Sequence, residues 1–175
     1  MLPKLLLLFA SGVALSAQTS YNATSDFSIT SNPSGAWSYG FTNILGGAFT
    51  LHNIAQIDFQ PGINQPGVDR WTTATPQGSL GVMHNKTSST IQASTYTIPA
   101  DMLVMHPGWT GQAGIYEVVR WVAPQSGEYT VEGAFAGLDV VTSYAATEVH
   151  VLVNSATELI PVGGAPAVVI TLRIP

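Results

Sequence analysis

The segment 115–139 carries the clearest strand pattern in the chain, and it limits the possible fold more than any other stretch. Polar and apolar residues alternate from 128 to 135, which is the period of a strand with one wet face and one buried face. Residues 115–122 are rich in β-branched and aromatic side chains, and turn residues follow at 123–127. We therefore predict an antiparallel hairpin. The alternation predicts that Glu128, Thr130 and Glu132 face solvent. It predicts that Tyr129, Val131 and Phe135 face the core.

The composition favours short strands joined by many turns. Only 9% of the residues are charged, whereas the chain has 17 Gly and 11 Pro, which suit helices poorly. About ten or more short strands at turn-spaced intervals predict an all-β fold, a double-sheet antiparallel sandwich of jelly-roll type. The chain contains no cysteine, so its own core has to hold it together, and cysteine zinc sites are excluded.

The first 17 residues have the layout of a secretory signal peptide. Lys4 is their only charge, an apolar run occupies residues 5–15, and the small residues Ser16 and Ala17 precede Gln18. Such a run is too short to span a bilayer. We predict cleavage after Ala17, a secreted or surface-displayed protein, and one mature domain over residues 18–175.

The charge of the mature chain excludes two classes of partner. Five basic residues stand against ten acidic residues, and removal of Lys4 changes the net charge from −5 to −6. An anionic surface without a basic cluster repels nucleic-acid backbones and anionic membranes. We expect neither nucleic-acid binding nor membrane insertion of the mature chain.

Further elements follow from local patterns. A strand is predicted at residues 26–30 and another at 36–41, where three aromatic side chains alternate onto one face. Residues 85–87 are predicted to form an exposed connector, and the apolar residues 168–174 an interior strand. The three aromatic residues of the second strand are Trp37, Tyr39 and Phe41.

Six segments occur in a recognisable order along the chain: NPSGAWSYG at 32–40, HPG at 106–108, VRWVAP at 119–124, GEYTV at 127–131, FAGLD at 135–139 and VHVL at 149–152. Together they resemble a group of poorly characterised bacterial exported proteins, many of which carry a PEP-CTERM sorting tail. The resemblance covers nearly all of the mature chain. It implies a β-sandwich related in shape to carbohydrate-binding modules, without established catalytic residues. Because the chain ends at residues 173–175 without a sorting motif, it is interpreted as a truncated member or as a protein exported without an anchor.

The residues that could carry enzymatic chemistry are scattered. The histidines show no HxH, HExxH or calcium-loop pattern, so they are interpreted as ordinary surface or strand-end residues. We therefore expect no metal and no other cofactor, although distant strands could still assemble a metal site, as in cupins. Asp139 and Glu148 could form a glycosidase carboxylate pair, yet ten acidic residues make some such pair almost inevitable. The histidines are His52, His84, His106 and His150.

Tryptophans are candidates for ligand contact, because sugar rings stack on exposed aromatic side chains. Trp109 lies between Gly108 and Gly111 in a glycine-rich loop, so we expect its ring to be exposed and to bind a ligand; the alternative is that the ring folds back as a cap over the end of the sandwich. Trp37 and Trp121 are expected in the core, because they occur in strands with apolar neighbours.

Three other residues complete the predicted ligand site: His106 in the Trp109 loop, Asp139 as an acceptor for sugar hydroxyls, and Arg120. Arg120 is flanked by Val118 and Val122 on the face opposite to its neighbouring tryptophan. An arginine in that setting is either a buried ion-pair partner of Asp139 or Glu148, which we favour, or a donor to a ligand.

Three classes of function stay open on these patterns. The leading class is a noncatalytic module that binds extracellular polysaccharide, the second is a structural or adhesive matrix protein, and the third is a glycoside hydrolase or other hydrolase. An exposed aromatic platform beside polar groups would favour the first class. A flat polar surface with uncovered edge strands would favour the second, and carboxylates or histidines converging in a deep cleft the third.

Overall fold

Strands and turns make up the computed structural model of the protein, which describes residues 19–59, 66–74, 80–93, 95–107, 115–138, 148–162 and 168–174. These ranges contain no helix, and so none long and apolar enough to cross a membrane. The all-β prediction is confirmed. The described strands are β1 (Trp37–Thr42), β2 (Thr50–Leu51), β3 (Ile54–Phe59), β4 (Val68–Thr72), β5 (Gly81–Asn85), β6 (Ile91–Gln92), β7 (Thr97–Ile98), β8 (Leu103–His106), β9 (Tyr116–Trp121), β10 (Gly127–Gly133), β11 (Val149–Val153), β12 (Thr157–Val162) and β13 (Val168–Ile174).

Two antiparallel sheets face each other across an apolar core. The first sheet has the strand order β2-β1-β9 and the second has the order β3-β4-β5-β8. Tyr39 on β1 packs against Trp71 on β4 and Val82 on β5, and all three are buried. This packing of sheet on sheet is consistent with a β-sandwich.

The second sheet is buried on both of its faces. A second apolar cluster covers the side away from Tyr39, and the short β6-β7 pair contributes to it. This double burial explains why β4 and β5 are almost continuously buried instead of alternating. The buried members of the second cluster are Val68, Met83, Ile91, Ile98 and Val104.

The predicted hairpin is wrong, although both of its strands exist. β9 pairs with β1 along its whole length, from Trp121 opposite Trp37 to Tyr116 opposite Thr42. β10 pairs instead with β13. The turn at 122–126 therefore carries the chain from one sheet to another.

The alternation predicted for β10 is confirmed, with a smaller degree of burial than expected. The residues predicted outside are exposed, and Tyr129, Val131 and Phe135 are half-buried. β13 was expected to be an interior strand, but among the described strands it pairs with β10 alone.

The predicted strand at 26–30 is absent, and the chain there leaves a side-chain-capped turn. The side-chain oxygen of Asn22 accepts hydrogen bonds from the backbone N–H groups of Thr24 and Ser25, and the Asp26 carboxylate accepts one from the N–H of Asn22. Such bonds satisfy the backbone locally and compete with strand pairing. The segment 26–30 still covers the core, because Phe27 packs against the apolar cluster of the two sheets.

The predicted exposed connector at 85–87 begins with a fully buried residue. Asn85 is 0% exposed, and its Nδ2 donates to the carbonyl oxygens of Ser89, Ile98 and Pro99 at 2.9, 2.9 and 3.0 Å. Its Oδ1 accepts from the backbone N–H and the hydroxyl of Thr87. Asn85 therefore ties the loop after β5 to the end of β7.

Candidate functional site

A histidine and a glutamate meet inside the sandwich. His52 follows β2, Glu117 lies on β9, and β1 runs between them in the first sheet. His52 Nε2 lies 2.5 Å from Glu117 Oε1, and the two side chains are 0% and 2% exposed. His52 is therefore a strand-end residue, as one of the two interpretations of the histidines has it, and the surface alternative is wrong.

Burial controls the protonation of this pair. Loss of solvent, reinforced by the charge of Arg70, lowers the pKa of His52 to about 4. Loss of solvent also raises the pKa of Glu117 well above its usual value, against the smaller opposing effects of Arg70 and a hydrogen bond from the Gly81 backbone. Both shifts favour the uncharged forms, so the short hydrogen bond joins a neutral imidazole to a neutral carboxyl group.

Arg70 supplies the buried positive charge near the pair. The residue is 6% exposed, and its guanidinium donates to Thr72 Oγ1 at 3.0 Å and lies over the Phe59 ring, 4.4 Å from the centroid. The Thr72 hydroxyl donates in turn to the Leu80 carbonyl oxygen. Hydrogen bonding and ring contact are the usual conditions under which a protein holds a charge away from water.

The buried pair does not form an open catalytic centre. General acid–base catalysis requires the acid and the base to reach a bound substrate, and both side chains are closed to solvent. The described residues also contain no group of three histidine, cysteine or acidic side chains that could hold a metal ion. We therefore interpret the His52–Glu117 pair as part of the core.

The pair makes the stability of the protein depend on pH. Because the pKa of His52 falls on folding, the free energy of unfolding decreases as the pH drops from about 6.5 to about 4. Because the pKa of Glu117 rises on folding, the free energy of unfolding decreases as the pH rises from about 4.5 towards the folded pKa. The two effects oppose each other where their pH ranges overlap, above about pH 4.5.

Glu117→Gln should therefore abolish the decrease in stability that begins as the pH rises above about 4.5 and leave the decrease due to His52 on acidification, since glutamine does not titrate. Urea unfolding at a series of pH values from about 5 to 8 measures this. Glu132→Gln, at an exposed position of β10, is the control and should keep the wild-type profile. If the free energy of unfolding of Glu117→Gln depended on pH in the same way as that of the wild type, Glu117 would not titrate as described.

The outer face of the first sheet carries an exposed candidate site. Side chains alternate along a strand, so Tyr116, Val118 and Arg120 of β9 lie on the face away from the Tyr39 core. Val122 continues this row and is 54% exposed. We call these four residues, together with Phe49, the outer β9 face.

Phe49 and Arg120 form one unit on the outer β9 face. The Arg120 guanidinium lies over the Phe49 ring, 4.1 Å from its centroid. The ring itself lies close over Gly40, where a Cβ atom would come within 2.8 Å of Phe49 Cζ. Glycine at position 40 thus lets the ring approach the sheet. A cation over a ring at an exposed site contributes about 0.5–1 kcal/mol, which helps to hold the guanidinium in place.

The arginine that was expected to be buried is exposed. Arg120 has no carboxylate partner among the described residues. Of the two partners considered, Glu148 instead lies 3.5 Å from His150, and Asp139 lies outside the described residues. The exposed position of Arg120 is compatible with a role as donor to a ligand.

The other predicted site residues are not gathered around Arg120. Trp109 and Asp139 lie outside the described residues, as does the predicted signal peptide. His106 ends β8, its Nδ1 is 2.8 Å from the Pro107 carbonyl oxygen, and its ring packs against Tyr96. It shares the far face of the second sheet with the second apolar cluster, so His106 and Arg120 lie on opposite sides of the sandwich.

The tryptophans assigned to the core are half-buried. Trp37 packs at the edge of the Tyr39 cluster, and Trp121 lies opposite it in the sheet. The Trp121 ring lies between Tyr21, at 5.5 Å, and Tyr129, at 4.9 Å. These rings form an aromatic border to the core instead of its centre.

Comparisons with models of protein families, with curated proteins and with solved structures found no match. The outer β9 face is therefore identified as a candidate site from the geometry of its residues alone. Sequence reasoning found Arg120 and both valines beside it, but it missed Phe49, His52 and Glu117. No local motif marks these three, because their partners lie far away along the chain.

Proposed function

We propose that the protein is an exported, noncatalytic module that binds extracellular glycans on the outer β9 face. The observation that carries the proposal is the exposed guanidinium of Arg120, which is held over the Phe49 ring beside the exposed Val122. A jelly-roll sandwich of the kind found in carbohydrate-binding modules is the fold type that we propose with it.

The outer β9 face offers the two kinds of contact that a sugar chain needs. Sugar rings present C–H faces to apolar and aromatic side chains, and their hydroxyls accept hydrogen bonds from fixed donors. The exposed Val122 and the half-buried Val118 supply apolar surface, and Arg120 supplies donors, whereas Tyr116 packs against the His150 ring at the other end of the row. The row from 116 to 122 is roughly 20 Å long at the usual rise of a strand, which suits an extended ligand.

The buried, uncharged state of the His52–Glu117 pair supports a noncatalytic role, since this converging pair has no access to a ligand. A shallow site around one exposed arginine buries little area. We expect affinities between micromolar and millimolar.

Adhesion through edge strands is the weaker alternative. β3 is an edge strand with an exposed Ile57, but its pairing with β4 is irregular between Gln56 and Phe59, and Asp58 has a positive φ of 51°. Irregularities of this kind disfavour the edge-to-edge pairing that an adhesive protein would use.

Export is proposed from residues 1–17, which have the layout of a signal peptide, and from the resemblance to exported β-sandwich proteins. The location that we propose is extracellular or on the cell surface.

Phe49→Ala should lower glycan binding by about tenfold, because the ring both contacts the ligand and holds Arg120. A glycan array probed with the mature protein identifies ligands, and titration calorimetry then compares the variants. Ile57→Ala, which removes an exposed apolar side chain from β3, is the control and should bind like the wild type. The proposal fails if Phe49→Ala binds normally, or if Ile57→Ala loses as much affinity.

A further inference from the structure

We infer that the glycan bound at the outer β9 face carries carboxylate groups and that Arg120 is the residue that selects them. This inference rests on the proposed function and adds the chemical class of the ligand. It follows from how the chain uses its few basic side chains.

Basic residues are scarce in the mature chain, and the others whose side chains the structure describes are already engaged. Arg70 is buried beneath Phe59, and Lys86 Nζ lies 2.9 Å from both Asp58 and Asp69. Arg120 is exposed and has no carboxylate within ion-pair distance in the described part of the chain. An anionic protein thus leaves one described cation available on the proposed binding face.

The neighbouring acid does not cancel the charge of Arg120. Glu117 lies three residues away on the same strand, but its side chain points into the core. Burial keeps it in the neutral form. Exposed Glu148 is close to His150 instead. The field at the outer β9 face is therefore positive close to the guanidinium.

The Phe49 contact prepares the guanidinium for a carboxylate. Arginine presents a planar fork of N–H donors that matches the two oxygens of a carboxylate, and charged bonds of this type are about twice as strong as neutral ones. Because the Phe49 ring already restricts the side chain, less conformational entropy is lost when the ligand binds. Gly40 contributes by letting the ring lie close to the sheet.

Because the protein carries a net negative charge, its attraction for an acidic ligand has to come from direct contact with Arg120. Repulsion between exposed charges is largely screened beyond about 8 Å at physiological ionic strength, whereas a direct guanidinium–carboxylate pair is screened much less. Selection of an acidic sugar by one arginine is therefore compatible with an acidic protein. The ligand class that fits is a polysaccharide that contains uronic acid residues.

Titration calorimetry with a hexamer of galacturonic acid and with the same hexamer after reduction of its carboxyl groups tests the inference. We expect the mature protein to bind the acidic hexamer about tenfold more tightly than the neutral one. Arg120→Gln should weaken binding of the acidic hexamer more than binding of the neutral one, so that the two hexamers bind about equally, because glutamine keeps an N–H donor for hydroxyls and loses the charge. Arg120→Lys should recover only part of the preference, since lysine lacks the planar fork. Unchanged melting temperatures confirm that both variants are folded.

The outcomes separate the inference from the proposed function. Equal binding of the two hexamers, with both sensitive to Phe49→Ala, would overturn carboxylate selection and leave glycan binding in place. A preference for the acidic hexamer that survives Arg120→Gln would overturn the role of Arg120. Glycan binding insensitive to Phe49→Ala would overturn the proposed site itself.

Discussion

Glu117→Ala is expected to lower the free energy of unfolding by roughly 3 to 5 kcal/mol. The substitution leaves His52 Nε2 without its hydrogen-bond partner and opens a cavity on the inner face of β9. Urea unfolding of the mature protein measures the change. Glu132→Ala is the matched control at an exposed position, where we expect a change within about 0.5 kcal/mol.

A loss below about 1 kcal/mol in Glu117→Ala would mean that the pair is not buried as described, because an unpaired polar group alone costs that much. The same experiment on Glu117→Gln should give an intermediate loss, since glutamine keeps an acceptor for His52 while lacking the carboxyl proton.

Asn85→Ala is expected to cost roughly 3 to 4 kcal/mol. The side chain of Asn85 bonds three carbonyl oxygens and both donors of Thr87, so its removal leaves several buried groups unpaired at once. Asn43→Ala, at an exposed position, should change the free energy of unfolding by no more than about 0.5 kcal/mol. Equal effects of the two variants in urea unfolding would contradict the role given to Asn85 as the tie between the β5 loop and the end of β7.

Strands were readable from the sequence because their signal is local. Alternation identified β10, and the aromatic run identified β1, since both depend on neighbours two positions apart. Strand partners were not readable. The turn at 122–126 has the same composition whether it closes a hairpin or joins two sheets, and the choice is made by pairing with β1 and β13.

Buried polar residues were misjudged for a related reason. His52 and Asn85 are followed by polar or turn-forming residues, which is the pattern of an exposed strand end. The partner of His52 is 65 residues away, and the carbonyl groups that satisfy Asn85 include those of residues 13 and 14 positions later. Only the folded chain brings these groups together.

Part of the outer β9 face could be predicted from the sequence, but its exposure could not. Alternation correctly placed Val118, Arg120 and Val122 on one face of a strand. Whether that face is buried depends on what packs against it, and here Phe49 from the segment before β2 lies over the arginine without closing it to solvent. The exposure of Arg120, on which its proposed role as a ligand donor depends, is therefore a tertiary property.

Amide correlation spectra of the mature protein, titrated with the galacturonic acid hexamer, test the central claim most directly. If the outer β9 face is the glycan-binding surface, the signals that shift with ligand concentration should be those of β9 residues 116–122, Phe49 and Gly40. Signals of β10 and of the His52 backbone should move little. Shifts confined to β10, β13 or the loop that contains Trp109, or no shifts at ligand concentrations in the millimolar range, would contradict the account.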